Sequence, residues 1–482
     1  MPHAFERLSV QDASFILFEG PANPMHVGAV ALLDAAPLRG PDGGIDVEAI
    51  RAFVGSRLRH LPRYRQRLAF TPVEGWPVWV DDARFDLAYH VRHTALPRPG
   101  RDAELKELAG HLLSQPLDRA RPLWEIWVVE GLDGGRFALV VKTHHCMVDG
   151  VAGMEILTTL LRPTADRSIE RAVRWRPRPA PSPFELLVDG ARRRVDAGAA
   201  VARALVGAVR DPRAASAEAA EAATAVWHAL RDGFRVAVHT HFNRETAVSR
   251  RIEWCSLDLA EVKEVRRRLD GTVNDVVLTV VAGALRDCLE QHHASSRAQD
   301  LRVVVPVNVR TGTEVHAKGN HVSAWFVSLP VNVADPLERF ERVRRETRRA
   351  RQSKAALGIS LLTRFTDWTG SMLFARVGVR VAADLHPYHL IVTNVAGPQL
   401  PLHLLGARLL ALYPQLPLFE QEGLGIAVFS YCGRVGFSLI GDWTLLPDLP
   451  GLATSIEASF TELREAALGG GERKGIGDAF SA

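Results

Sequence analysis

The chain has 482 residues, 47% of them hydrophobic and 24% charged, which excludes a disordered polypeptide and supplies apolar side chains for two domain cores rather than one. Its formal charge of +4 is too small for a nucleic-acid binder, although a basic side made almost wholly of Arg suits a phosphate-bearing ligand or an anionic membrane surface. Four singly placed cysteines (Cys146, Cys255, Cys288, Cys432), no signal-peptide pattern and no apolar run of membrane-spanning length argue against a zinc site, a disulfide framework or a spanning segment. A cytoplasmic protein is expected, with peripheral attachment to membrane or lipid inclusions left open.

In chain order, residues 8–18 predict a short helix with Ser9 as N-cap. Pro24–Leu33 reads as a strand, 46–59 as a helix ended by Pro62, and 67–72 and 76–80 as short strands. A helix over 103–113 places Leu105, Leu108 and Leu112 on one face. Residues 122–129 and 137–143 then form a hairpin across Gly134-Gly135, the second strand apolar enough to be covered on both faces. Met154, Leu157 and Leu161 recur at helical spacing after it.

A Pro/Arg-rich stretch around 174–183 reads as an extended linker, and the Ala/Arg-rich residues 185–240 as crossover helices. The second half restarts with a strand over 250–259 and a helix over 259–269. Thr272-Val-Asn-Asp275 caps the apolar helix 276–289. Strands at 301–308 and 320–331, an Arg-rich helix over 336–354 and a mostly helical 361–381 follow. Strands at 390–395, 408–413, 425–430 and 434–439 precede the last helix, 448–467. Strands and helices interleave in both halves, which predicts an α/β protein of two sandwiches with mixed sheets. The expected divisions are an N-terminal domain over 1–165, a linker with crossover helices over 166–245, a C-terminal domain over 246–467 and a disordered tail over 468–482.

The chemistry concentrates at His144-His145-Cys146-Met147-Val148-Asp149-Gly150, where a buried strand breaks into a loop ahead of a helix. A histidine there is a candidate acid–base group, against the plainer reading of a core histidine pair at a tight turn. On a strand His144 faces away from His145, which favours packing for His144 and leaves Cys146 poorly placed for activation. Asp149 can cap the following helix or orient the loop, and Gly150 suits an unusual dihedral or a close substrate approach. No third strong ligand lies near His144, His145 and Asp149, so no metal is expected. No Gly-x-Ser-x-Gly elbow is present to anchor a hydrolase triad.

His145, Asp149 and Gly150 form His-x-x-x-Asp-Gly, which resembles the motif of CoA-dependent acyltransferases and peptide-synthetase condensation domains. Leu8-Ser-x-x-Asp12, Pro24-Met-His-Val-Gly28, Pro122-Leu-Trp124, Asn274-Asp275, Val305–Arg310, Gly319-Asn320 and Asn394-Val-x-Gly-Pro398 narrow the resemblance. In this order, over about 5–465, they resemble the bacterial wax ester synthase/diacylglycerol acyltransferase family. The resemblance implies two CoA-dependent-acyltransferase-like α/β sandwich domains with an active-site channel between them. It implies acyl transfer from acyl-CoA, a co-substrate with no cofactor besides, to diacylglycerol or a long-chain alcohol. His145 would be the general base, with Asp149, His144 and Gly150 around it and no covalent acyl-enzyme. Substrate contacts are expected at Asn274, Asp275, Trp124 and Met25, Asn274 as an oxyanion donor; capping for Asn274 and Asp275, and core or scaffold for Trp124, are the competing roles. The Arg339–Arg351 run could meet CoA phosphates or a membrane, with a solvated helix face as the default. Phe365–Phe374 could line a lipid tunnel or fill a core. Two other functions stay open: a condensation-like enzyme acylating a specialised alcohol or amine, and a non-catalytic lipid-body surface protein.

Overall fold

The computed structural model describes residues 5–147, 155–171, 174–213, 216, 240–291, 300–308, 322–352 and 388–469. Asp149, Gly150, Gly319, Asn320, the predicted helix over 361–381 and the tail beyond Gly469 lie outside these residues.

The chain opens with β1 (Phe5–Arg7) and α1 (Val10–Phe18), whose N-cap Ser9 accepts the Asp12 N–H at 3.1 Å. There follow β2 (His26–Asp34), α2 (Val47–Arg57), β3 (Gln66–Phe70), β4 (Pro77–Asp81), α3 (Leu87–His90), β5 (Val91–Ala95), α4 (Asp102–Ser114), β6 (Trp124–Leu132) and β7 (Arg136–His144). The first half ends with α5 (Glu155–Leu160) and α6 (Pro183–Arg210). The second half runs β8 (Arg250–Asp258), α7 (Leu259–Arg268), α8 (Val273–Gln291), β9 (Leu301–Asn308), β10 (Val322–Leu329), α9 (Pro336–Gln352) and β11 (Leu390–Ala396). It closes with β12 (His403–Leu404), β13 (Ala407–Gln415), β14 (Leu424–Tyr431), β15 (Arg434–Asp442) and α10 (Leu449–Gly469).

These strands build two mixed six-stranded sheets, β12-β13-β2-β7-β6-β5 and β10-β9-β11-β14-β15-β8, and a small sheet β1-β4-β3. The parallel pairs are β5 with β6 in the first, and β11 with β9 and with β14 in the second. The predicted β6–β7 hairpin is present, and β14 and β15 pair antiparallel as a second hairpin.

One assignment changes. β12 and β13 belong in sequence to the second half, yet β13 pairs antiparallel with β2, Gln415 opposite Gly28. The spatial division therefore does not follow the sequence division at 246–467. Alternating side chains report that a strand exists and which face is apolar, not which sheet it joins. Beyond this exchange, an apolar cluster joins the lobes: Leu105 and Leu112 of α4 and Val140 of β7 pack with Ile252 and Trp254 of β8, Tyr413 of β13 and Ile440 of β15. Trp254 stacks on Tyr413 with ring centroids 4.7 Å apart.

β7 is the centre of the first sheet, with every residue from Phe137 to His144 buried. Its one ammonium, Lys142, donates to the carbonyls of Leu112 and Gln115 at 3.0 Å each. It thereby satisfies carbonyls at the C-terminal end of α4. α4 can lie this close because β2 carries Gly28: a Cβ there would sit 2.7 Å from the Val141 carbonyl and 2.8 Å from Leu113 Cδ2. The glycine that closes Pro24-Met-His-Val-Gly28 thus sets the helix-to-sheet distance behind the histidines.

Candidate active site

β7 ends at His144, and His145–Met147 turn away as a single 3-10 turn. The break is pinned by two backbone bonds: the His144 N–H donates to the Leu123 carbonyl at 2.9 Å and the His145 N–H to the Met25 carbonyl at 2.8 Å. The half-buried His145 ring lies flat on Phe15 of α1, with centroids 3.7 Å apart and planes 17° from parallel. Its Nδ1 has no hydrogen-bond partner among the described residues. Burial pushes its pKa down to about 4, so the ring is neutral at pH 7. A neutral imidazole held on two sides, with a ring nitrogen free of other bonds, can accept a proton.

His144 points elsewhere. It is buried, and its Nδ1 accepts the Cys146 N–H at 3.1 Å. A neutral His144 therefore carries its proton on Nε2, which faces Glu19 Oε2 at 3.5 Å. His26, opposite His144 in the β2–β7 register, approaches the same carboxylate with Nε2 at 3.6 Å from Oε1. Arg119 closes the cluster, its Nε donating to Glu19 Oε2 at 2.9 Å. Burial acts to raise the Glu19 pKa, but the His144 and Arg119 contacts outweigh it and bring the pKa to about 2. Burial holds His26 well below its ordinary value. Glu19 is thus a fixed anion, and its Oε1 also accepts the Met25 N–H at 3.4 Å. Met25 relays this anchor, because its carbonyl is the one that holds His145.

Glu19, His26, Arg119 and Phe15 were not assigned from the sequence. His26 sits inside the quoted Pro24–Gly28 stretch, and pairing 24–33 with 137–143 would have set it opposite His144. Nothing local in the sequence shows that Glu19 and Arg119 reach the same point.

Two of the expected substrate contacts lie in the core. Met25 is completely buried and contributes its backbone to the pinning of His145. Trp124 is also completely buried; its indole N–H donates to the Tyr64 carbonyl at 2.8 Å and its ring stacks on His90 at 4.6 Å. It is scaffold beneath β7, because an indole with its N–H satisfied inside a core has no surface to offer a substrate. Cys146 is buried too, and burial pushes its thiol well above the ordinary value, the opposite of what a nucleophile needs. The reason differs from strand alternation, since Cys146 lies in the turn.

In the second lobe Asp275 and Thr272 form a reciprocal cap on α8. Asp275 Oδ2 accepts the Thr272 N–H and hydroxyl at 2.8 Å each, and Thr272 Oγ1 accepts the Asp275 N–H at 3.2 Å. Asp275 Oδ1 accepts the Thr347 hydroxyl of α9 at 2.7 Å, so this buried carboxylate is committed to architecture. Half-buried Asn274 accepts through Oδ1 from Asn394 Nδ2 at 3.3 Å, which joins two of the sequence motifs. Behind Asn394, a Cβ on Gly397 would lie 2.2 Å from the Phe429 ring, so only glycine fits there.

The Arg run of α9 is engaged within the protein, and its first member departs from the solvated face expected by default. Arg339 is buried and donates to the carbonyls of Val333 and Ala334. Arg342, Arg345 and Arg349 pair with Glu338, Glu341 and Glu346 of the same helix, and Arg344 and Arg348 reach Asp270.

A narrow cleft between the lobes is lined by Pro24, His26, Leu113, Arg250, Leu416, Leu418 and their neighbours. It reaches the His26 ring, the edge-on neighbour of His144 at 5.9 Å. Arg250 spans the lobes there, its Nη2 donating to the Ala22 carbonyl at 2.6 Å. Among the described residues no group of three or more His, Cys, Asp and Glu side chains could hold a metal ion.

Comparison with known proteins agrees along nearly the whole chain. The profile of the wax ester synthase/diacylglycerol acyltransferase catalytic domain matches residues 8–277, and that of the WS/DGAT C-terminal domain residues 318–464. A Mycobacterium tuberculosis protein carrying the name diacylglycerol O-acyltransferase is 35% identical over 96% of this chain and 91% of its own length. A second from the same species, likewise named, is 32% identical over 95% of both. The solved wax ester synthase/diacylglycerol acyltransferase from Marinobacter aquaeolei VT8 superposes with a TM-score of 0.66 at 27% identity, over 96% of this chain and 99% of that one. A starter condensation domain of rhizomide synthetase, 12% identical with a TM-score of 0.59 over 96% and 95% of the two chains, shares the fold. With both family domains matched in order and relatives above 30% identity end to end, the chain belongs to the wax ester synthase/diacylglycerol acyltransferase family.

Proposed function

We propose that this protein is an O-acyltransferase that moves a fatty acyl group from acyl-CoA to diacylglycerol or to a long-chain alcohol, with His145 as general base. The observation that carries the role of His145 is its neutral ring, pinned at the broken end of β7 with Nδ1 unbonded among the described residues. An alcohol is a poor nucleophile until its proton leaves as it attacks. His145 takes that proton while the alcohol oxygen adds to the thioester carbonyl. The tetrahedral intermediate collapses, the CoA thiolate departs, and the imidazolium returns the proton to sulfur. Base catalysis of this kind contributes roughly 10²–10⁴-fold.

The high pKa of Cys146 supports direct transfer without an acyl-enzyme. Asn274, with Oδ1 held by Asn394, keeps its amide N–H groups for the oxyanion. Asp149 and Gly150 complete the loop by family resemblance. Acceptor and donor chains would supply most of the affinity, at about 0.8 kcal/mol per buried methylene.

The test is purified protein with palmitoyl-CoA and a panel of hexadecanol, diacylglycerol and short-chain alcohols, with thiol release and ester product followed together. Acceptor-dependent release with matching ester is expected. No release with any acceptor would overturn the reading and favour a non-catalytic lipid-surface protein.

A further inference from the structure

Among the described residues, α6 carries five of the exposed large apolar side chains. On α6, Phe184 is 73% exposed, Leu187 42%, Val195 70%, Val206 50% and Val209 80%. At 3.6 residues per turn these five fall within an arc of about 100°, so they form one stripe along a helix about 42 Å long. The helix is attached by a different side. Leu186 packs with Val78 and Val80 of β4. Asp189 accepts from Arg7 at 2.8 Å, and Arg194 donates to Glu74 at 2.9 Å. Gly190 lies against the same Glu74 and Arg7 side chains. α6 is therefore docked by one edge with its apolar stripe turned outward, the reverse of the usual arrangement for a surface helix. Among the described residues nothing covers that stripe.

The charges indicate what does. Arg192, Arg203 and Arg210 are exposed and fall within about 20° of one another, in a row along one border of the stripe. The helix carries five Arg against Glu185, Asp189 and Asp196, a balance of +2. Glu185 is used in the N-terminal capping box and Asp189 in the Arg7 pair. An apolar stripe edged by Arg fits an interface of acyl chains and anionic headgroups, where the stripe enters the acyl boundary and the guanidiniums meet phosphate. The helix is too polar on its other faces to cross a bilayer, and no helix among the described residues is long and apolar enough to do so.

We infer that α6 is a docking helix that lays this enzyme on an anionic lipid surface. The choice of a lipid rests in part on the proposed function, since both acceptors and both products are water-insoluble and are met at such a surface. The Arg-rich α9 is not that surface, because its guanidiniums are taken up by neighbouring carboxylates and carbonyls or, for Arg351, lie over the Trp325 ring.

The test is flotation of the full chain with vesicles of phosphatidylcholine, alone or with added phosphatidylglycerol. Wild-type protein is expected to float with the mixed vesicles. The triple variant Phe184→Ser, Val195→Ser, Val209→Ser should bind them at least about tenfold more weakly. It should keep the wild-type melting temperature and its rate with a water-soluble short-chain alcohol. Arg192→Gln with Arg203→Gln and Arg210→Gln should remove the preference for anionic vesicles. Equal flotation of the Ser variant and wild type, or no flotation of wild type, overturns the inference. So does a wild-type dimer in sedimentation that the Ser variant makes monomeric, since a second copy would then own the stripe. If flotation behaves as expected while no acyl transfer occurs, the proposed function falls and the docking surface stands.

Discussion

The two motif-bearing corners of the molecule differ in how completely their polar groups are bonded. In the second lobe the Asp275 carboxylate accepts from Thr272 twice and from Thr347 once, and Asn274 is engaged by Asn394. In the first lobe two ring nitrogens lack a hydrogen-bond partner among the described residues: Nδ1 of His26 and Nδ1 of His145. A buried polar group left unbonded costs stability, so a fold tolerates it where the group has other work. Both corners carry sequence motifs of the family, but only the first keeps titratable nitrogens in reserve. In the proposed reading, proton transfer falls to the end of β7 and the oxyanion contact to Asn274, while the Asp275 cap of α8 serves architecture.

Substitutions can break that contrast. His145→Ala should lower kcat by roughly 10²–10⁴-fold while leaving the melting temperature near the wild-type value. A comparable loss in both quantities would make His145 a structural histidine. Asp275→Ala should do the reverse. It leaves the Thr272 N–H without its acceptor and removes the tie to Thr347, and should cost about 1–3 kcal/mol in urea unfolding, with activity per folded molecule little changed. Lost activity at unchanged stability would return Asp275 to the substrate site. Glu19→Gln removes the charge that orders Arg119, His144 and Met25. A fall of about tenfold in kcat at constant KM is expected, because the base is misplaced and not removed. Cys146→Ala should change turnover by less than about twofold, since a thiol held protonated contributes no nucleophile. Loss of turnover in a folded Cys146→Ala protein would reopen covalent catalysis.

Much of this arrangement is legible in the sequence, and the misses have physical causes. The break of β7 at His144-His145 follows from an apolar strand running into polar residues and Asp-Gly. The α1 cap at Ser9 and the α8 cap at Thr272–Asp275 follow from local hydrogen-bonding chemistry, which acts over three residues. The sheet to which β13 belongs depends on contacts between residues remote in sequence, and the Ala407–Gln415 pattern is the same for either sheet. The Glu19 cluster is hidden for the same reason: an acid after α1, an arginine after α4 and histidines on β2 and β7 converge only when two strands pair. Met25 and Trp124 show a second limit. Motif membership marks both, but only packing reveals that one acts through its backbone and the other as a wall of the core.

The central claim is that a desolvated, neutral His145 accepts the alcohol proton. The most direct measurement is kcat/KM for the alcohol between pH 8 and pH 5, with folding checked by circular dichroism at each pH. The His145 pKa of about 4 lies below the ordinary 6.5, so the native ring stays neutral as the pH falls through 6.5 while the unfolded chain takes up a proton. Stability is therefore eroded between about pH 6.5 and 4, but the base is not titrated within the measured range. The account predicts a flat profile from pH 8 to pH 5 in folded protein. A fall with a single midpoint near 6.5 would contradict it, by making the essential base a solvated histidine.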